Sequence, residues 1–142
     1  GYYTYYDELK ALTDDEEWPE LLDHLLISIE EQKNRPYFYE ELLVAEQQWE
    51  RLLHVCHEQH ERIVEYGVDL QPFYPAEVEA LFMSHLTEKS ECVSNRSHYK
   101  SLASDLRVFK KLGYKERTQQ LITLFKARYP KRSALHDELA SI

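Results

Sequence analysis

Apolar side chains recur every three to four residues along almost the whole chain, the spacing that lines one face of a helix. Tyr2, Tyr5, Tyr6, Leu9 and Leu12 set out a first helix over 2–12. Thr13-x-x-Glu16 reads as a capping box for the next one, and Pro19 falls in the first turn, where it is tolerated. Trp18, Leu21, Leu22, Leu25, Leu26 and Ile29 then make the clearest stripe, which runs to about Lys33 and breaks at Asn34-Arg35-Pro36. A third helix is predicted from Tyr37 to about Glu46, with Leu42 and Leu43 inward. A fourth follows almost at once, from about Gln47 to His57, marked by Trp49, Leu52, Leu53 and Cys56. Ile63, Val64 and Tyr66 mark a fifth, which Gly67 is expected to weaken or end.

After the break at Gln71-Pro72-Phe73-Tyr74-Pro75, Pro75 suits a first helical position, and Val78, Leu81, Phe82 and Leu86 carry the next stripe. Ser94-Asn95 reads as a cap. Tyr99, Leu102, Leu106, Phe109 and Leu112 share one face, and Gly113 is a suitable stop. Leu121, Ile122, Phe125 and Tyr129 form another helix ended by Pro130, and Leu135 and Leu139 a short last one. The expected fold is all-α, with about eight or nine short helices. Short connections make sequential helices antiparallel neighbours. A tetratricopeptide-like α-α superhelix is the first architecture, and a compact helical bundle the rival. The echo between Phe73-Tyr74-Pro75 and Arg128-Tyr129-Pro130, each ahead of a helix, supports the first. Trp18, Leu22, Leu25, Trp49, Leu53, Phe82, Leu106 and Phe109 are the expected structural core.

Composition agrees. Eleven Tyr, five Phe and two Trp are more than a disordered chain carries, and three Gly with five Pro are too few for the turns of an all-β fold. At 142 residues a single helical domain over 1–142 is expected. No run of ~18 apolar residues marks a membrane span, so no membrane partner is expected. Two cysteines, Cys56 and Cys92, make no disulfide framework, and a cytoplasmic location is the natural one. The chain starts at Gly1 and its one methionine is Met83, which predicts a fragment of something longer.

Charge adds a direction. The chain's net −9 is the balance of −11 over residues 1–50, −5 over 51–93 and +7 over 94–142. Such asymmetry points to internal electrostatic matching or to a basic face for an acidic partner. Glu16/Glu20 and Glu46/Glu50 have the spacing of like-charge pairs on a helix. The acidic and basic helices are expected to mark opposite ends of the object. The run Tyr2-Tyr3-x-Tyr5-Tyr6 is denser in tyrosine than a core needs, which predicts cover by an upstream segment or an interface.

Two clusters have chemical potential. His54-Val55-Cys56-His57-Glu58-Gln59-His60 gathers three imidazoles and a thiol. His57-Glu58-x-His60 is one residue short of the metalloprotease motif, whose histidines stand four apart so that both reach one metal. His54, Cys56, His57 and His60 are thus the metal-ligand candidates. A structural zinc needs four ligands, so Cys56 packed inward beside histidines on a polar face is the plainer reading. The basic stretch Arg107, Lys110, Lys111, Lys115 and Arg117 could contact nucleic-acid phosphates, with Lys126, Arg128, Lys131 and Arg132 behind it and Tyr114 and Tyr129 available to stack. No Gly-rich phosphate loop, nucleophile elbow or triad is present, so the chain is not expected to be an enzyme.

Several motifs recur in a fixed order: Tyr6-x-x-Leu9-Lys10, Trp18-Pro19, Tyr39-x-x-Leu42-Leu43, Trp49-x-x-Leu52-Leu53 and Tyr74-Pro75-x-x-Val78. Asn95-Arg96-x-x-Tyr99, Leu112-Gly113 and the closing Arg128-Tyr129-Pro130-x-Arg132-x-Ala134-Leu135-x-x-Glu138-Leu139 follow. Together they resemble the C-terminal helical region of bacterial SWIM zinc-finger proteins. The resemblance implies a tetratricopeptide-like scaffold behind a zinc module that binds nucleic acid or protein. That module needs Cys-x-Cys and a later Cys-x-His, and Cys56 and Cys92 belong to no such pair. No metal residue carries over, and no cofactor is expected in this chain. Zinc would sit in an upstream module. The expected function is a non-catalytic helical-repeat scaffold for a protein partner or a neighbouring domain. A nucleic-acid accessory role ranks second, and metal-dependent activity at His54–His60 third.

Overall fold

The computed structural model describes residues 2–36 and 38–142 and, among these, side chains from Thr4 onward. It is all-α: nine α-helices and one turn of 3-10 helix, with no strand among the described residues. The chain divides into two compact units, residues 1–48 and 49–142. No helix of the described residues is long and apolar enough to cross a membrane.

The first unit holds α1 (Tyr2–Leu12), α2 (Trp18–Glu30) and α3 (Phe38–Ala45). The predicted start of α3 at Tyr37 lies outside the described residues. Trp18, Leu22, Leu26 and Ile29 are the buried residues of α2, one per turn. Leu25 is half-buried rather than core, because it sits on the flank of that stripe. Thr13 does not cap α2. Its hydroxyl donates to the Leu9 carbonyl at 2.6 Å, closing the end of α1, and α2 begins after Glu17 with no side-chain cap. Glu16 therefore precedes α2, and Glu46 lies past the end of α3 while Glu50 is in the next helix. Neither acidic pair shares a helix.

α3 ends in a reversal. The Gln48 N–H donates to the Leu43 carbonyl at 2.8 Å and the Gln47 N–H to that of Val44 at 3.1 Å, with Gln47 at φ 55°. This is a Schellman closure with glutamine in the left-handed position that glycine usually takes.

The second unit comprises α4 (Trp49–Glu58), the 3-10 turn His60–Arg62, α5 (Ile63–Leu70), α6 (Pro75–Cys92), α7 (Arg96–Lys111), α8 (Lys115–Arg128) and α9 (Ser133–Ala140). α7 touches α5, α6, α8 and α9, and so forms the middle of the unit. Its core is aromatic and aliphatic: Phe82, Leu86, Leu102, Leu106, Phe109 and Phe125 are wholly enclosed, and the rings of Phe82 and Phe109 stack at 4.9 Å. Leu53 is buried as expected. Trp49 is only half-buried. Its ring stacks at 5.7 Å on Phe73, itself 57% exposed, so it packs on the rim and not in the interior.

Gly67 neither weakens nor ends α5, which continues through it to Leu70. A Cβ at this position would stand 2.8 Å from Phe82 Cε2 and 3.3 Å from Leu112 Cδ1. Glycine is there for close approach of α5 to the core. Asn95 caps α7 by accepting from the His98 N–H at 3.0 Å. α7 stops at Gly113 (φ 107°) in a second Schellman closure. The Tyr114 and Gly113 N–H groups reach the Phe109 and Lys110 carbonyls, and Tyr114 stacks on Phe109 at 4.8 Å.

Candidate interaction face

The histidine-cysteine cluster does not converge. Ligation from 54 to 60 requires one continuous helix, and α4 ends at Glu58. Gln59 is extended (φ −133°, ψ 93°), and His60 opens the 3-10 turn. Cys56 is wholly buried. His54 Nε2 is 2.8 Å from Glu58 Oε1, and His60 Nδ1 is 3.0 Å from Glu88 Oε1. His57 is exposed. Among the described residues no group of three or more His, Cys, Asp and Glu is placed to hold a metal ion.

The basic candidates divide into engaged and open. Arg117 Nε donates to Glu79 Oε1 at 2.7 Å. Lys110 Nζ donates to the Ile142 carbonyl at 2.6 Å, and Arg107 to the Ser141 hydroxyl. Beyond the predicted stretch, Arg96 lies by Asp137 and Glu138, and Arg128 by Glu91. Arg132 donates to the Val93 carbonyl at 3.0 Å and lies over the Tyr129 ring. Lys111 and Lys115 are exposed, with no ion pair among the described residues.

One further cation joins the open set. Lys100, Ser104, Arg107 and Lys111 are all exposed and fall at i, i+4, i+7 and i+11 on α7, a single line along the helix. None of these cations pairs with a carboxylate of the described residues. The one carboxylate of α7, Asp105, is turned away. It accepts from His85 Nε2 at 2.8 Å and from Lys89 Nζ at 2.7 Å, both on α6. Lys89 also donates to the Ser101 hydroxyl at 2.7 Å. Burial would raise the Asp105 carboxyl, but hydrogen bonds from His85 and Lys89 and the Lys89 charge outweigh it and hold the carboxyl below its usual range.

The first unit has a comparable clasp. Glu46 takes hydrogen bonds from the Tyr6 hydroxyl, from Lys10 Nζ at 2.6 Å and from Trp18 Nε1 at 3.1 Å. Desolvation pushes its carboxyl up, and these donors bring it below the ordinary value. Tyr6 is buried, and Tyr5 is 60% exposed. The side chains of Tyr2 and Tyr3 lie outside the described residues. Both carboxylates are thus held by structural donors, Glu46 by Tyr6, Lys10 and Trp18 and Asp105 by His85 and Lys89.

Two open depressions flank the start of α8. One, of about 390 Å³, is lined in part by Lys110, Lys115, Thr118 and Ile122. The other, of about 570 Å³, is lined by Glu79, Tyr114 and Arg117 among others. The buried hydroxyl of the first, Thr118, donates to the Tyr114 carbonyl at 2.8 Å.

The observed class is thus an all-α chain of two helical units, with a carboxylate-free basic line on the central helix of the second. Comparison with protein-family models, curated proteins and solved structures finds no match.

Proposed function

We propose that the chain is a non-catalytic helical-repeat scaffold of tetratricopeptide-like build, which presents a helical layer to a protein partner or to a neighbouring domain of its own polypeptide. The observation that carries this reading is the contact pattern of the second unit. α5 touches α7 and α7 touches α9, each skipping one helix, while α6 packs on both α5 and α7. Stacked helical hairpins produce this alternation, because the first helices of successive hairpins form one layer and the second helices another. α5, α7 and α9 begin at Ile63, Arg96 and Ser133, steps of about 33 and 37 residues against roughly 34 in a tetratricopeptide repeat. The resemblance to the helical region behind a SWIM zinc module fits the same role, with zinc belonging to the upstream module. Cys56 and Cys92 are not joined in a disulfide, which suits a reducing cytoplasm.

A nucleic-acid accessory role is the second reading, favoured by the open Lys111 and Lys115. Amine-directed cross-linking in cells, read by peptide mass spectrometry, separates the two. The scaffold reading expects protein cross-links concentrated on Lys100 and Lys111, with few on Lys33 and Lys131. An even spread over all exposed lysines refutes it. Adducts of α7 and α8 with nucleic acid after ultraviolet irradiation, without protein cross-links, favour the second reading.

A further inference from the structure

Resting on the scaffold reading, we infer that the exposed face of α7 is a docking surface for an acidic peptide segment. Lys100, Ser104, Arg107 and Lys111 run along it over about 16 Å at 1.5 Å per residue. No carboxylate interrupts the line, since Asp105 is held on the α6 side by His85 and Lys89. Elsewhere in the same unit Arg96, Arg117 and Arg128 each have a carboxylate beside them. The α7 line is therefore a row of positive charge with no carboxylate of the described residues beside it, a state Lys115 on α8 shares singly, and charge complementarity specifies the occupant. An extended segment of about five residues spans the line at ~3.3 Å per residue, and carboxylates on it would meet Lys100 and Lys111 at its ends and, between them, Arg107, whose guanidinium also donates to the Ser141 hydroxyl. Ser104 supplies a neutral donor midway.

A peptide fits better than nucleic acid for two reasons. The aromatic residues of α7, Tyr99 and Phe109, are buried, so the face offers no ring for base stacking. The chain's net charge of −9 repels a polyanionic duplex at long range, and a peptide, with fewer charges than a duplex of equal length, feels that repulsion less.

The test uses the whole chain and a fluorescein-labelled, end-blocked peptide of repeating Glu-Glu-Ser units, about twelve residues long, in an anisotropy titration. Binding is expected at about 50 mM salt, with affinity falling ~10-fold or more at about 500 mM. The double charge reversal Lys100→Glu/Lys111→Glu should weaken it ~10-fold or more, while Lys33→Glu/Lys131→Glu, with the same change in net charge, leaves it within ~2-fold. Unchanged far-ultraviolet dichroism and melting temperature establish that both variants fold, and Lys100→Gln/Lys111→Gln repeats the test without adding charge. The inference is overturned by no measurable binding, by equal losses in the two reversal variants, or by tighter binding to a DNA duplex of equal length. Self-association of the chain alone, abolished by Lys100→Glu/Lys111→Glu in sedimentation, would also overturn it by assigning the face to a second copy. Failure of the peptide alongside α7 cross-links to protein in cells would remove this inference and leave the scaffold reading standing.

Discussion

Gly67 sits in the interior of α5, and its replacement by alanine sets two known effects against each other. On propensity alone, glycine to alanine in a helix stabilises by about 1 kcal/mol. The added methyl, however, would lie 2.8 Å from Phe82 Cε2 and 3.3 Å from Leu112 Cδ1. Phe82 has no exposed surface and is stacked on Phe109, which is stacked in turn on Tyr114. The ring is therefore not a flexible end that can swing aside. Overpacking of a closed core costs about 1–3 kcal/mol. The expected net effect of Gly67→Ala is a loss of about 0–2 kcal/mol, and Gly67→Val, with a branched side chain in the same space, should lose about 3 kcal/mol or more. Urea unfolding followed by far-ultraviolet dichroism measures both. A second variant isolates the cause: with Phe82→Leu in place, Gly67→Ala should cost less, giving a coupling of about 0.5–3 kcal/mol. A gain of about 1 kcal/mol from Gly67→Ala alone would refute the close approach, because it is what an unobstructed helix position returns.

Three further predictions follow from particular contacts. Trp49→Ala should cost about 1–3 kcal/mol in thermal or urea unfolding, below the 3–5 typical of an enclosed tryptophan, because the ring is half-buried on Phe73; a loss of 4 or more would contradict the rim placement. Gln47→Gly should stabilise by about 0.5–1 kcal/mol, since relief of a left-handed side chain (about 1–2) exceeds the entropic cost of glycine (about 0.5–1), and any loss beyond error would argue against φ 55° at this site. Asp105→Asn should cost about 1–3 kcal/mol at neutral pH by weakening the acceptor of His85 and Lys89. Because Asp105 is held below its ordinary value, its contribution is complete above about pH 4 and disappears as pH falls through the lowered native value. Melting temperature from pH 6 to pH 2.5 should then fall more steeply in the wild type than in Asp105→Asn, and parallel curves would refute the assignment.

Helix existence was legible in the sequence wherever the apolar stripe was strong. Trp18, Leu22, Leu26 and Ile29 in α2, and Tyr99, Leu102, Leu106 and Phe109 in α7, point inward as their spacing requires. Pro75 and Gly113 punctuate α6 and α7 as those residue types dictate. At Gly67 and at Thr13-x-x-Glu16 local propensity points one way, and tertiary packing or a neighbouring helix end decides the outcome instead. Gly67 answers to Phe82, fifteen residues on, and Thr13 closes the helix behind it and not the one ahead. The echo of Tyr74-Pro75 in Tyr129-Pro130 also fails to mark a period. Pro75 begins α6 directly, whereas Pro130 follows the end of α8 and α9 begins at Ser133. The starts of α5, α7 and α9 carry the spacing closer to a repeat, and they share no sequence signature.

The candidate face shows where sequence reading stops. A basic run in sequence order picks out Arg107, Lys110, Lys111, Lys115 and Arg117, but a helix sorts residues by angle. Lys110 lies about 100° from Lys111 and reaches the Ile142 carbonyl, and Arg117 belongs to α8 and meets Glu79. Reading α7 at i, i+4, i+7 and i+11 keeps Arg107 and Lys111, adds Lys100 and sets aside Lys110, Lys115 and Arg117, so that part of the face is present in the sequence as a period. Its lack of counter-charge is not. It depends on Asp105 being drawn to the α6 side by His85 and Lys89, and the i,i+4 pairs His85/Lys89 and Ser101/Asp105 reveal that only once α6 and α7 are placed in register. The same clasp that fixes two helices of the core thus removes the one carboxylate that could neutralise the outer face. It follows that Asp105→Asn should leave peptide affinity at Lys100 and Lys111 nearly unchanged while lowering stability. A variant that moved affinity as much as stability would show that the clasp and the face are not separable.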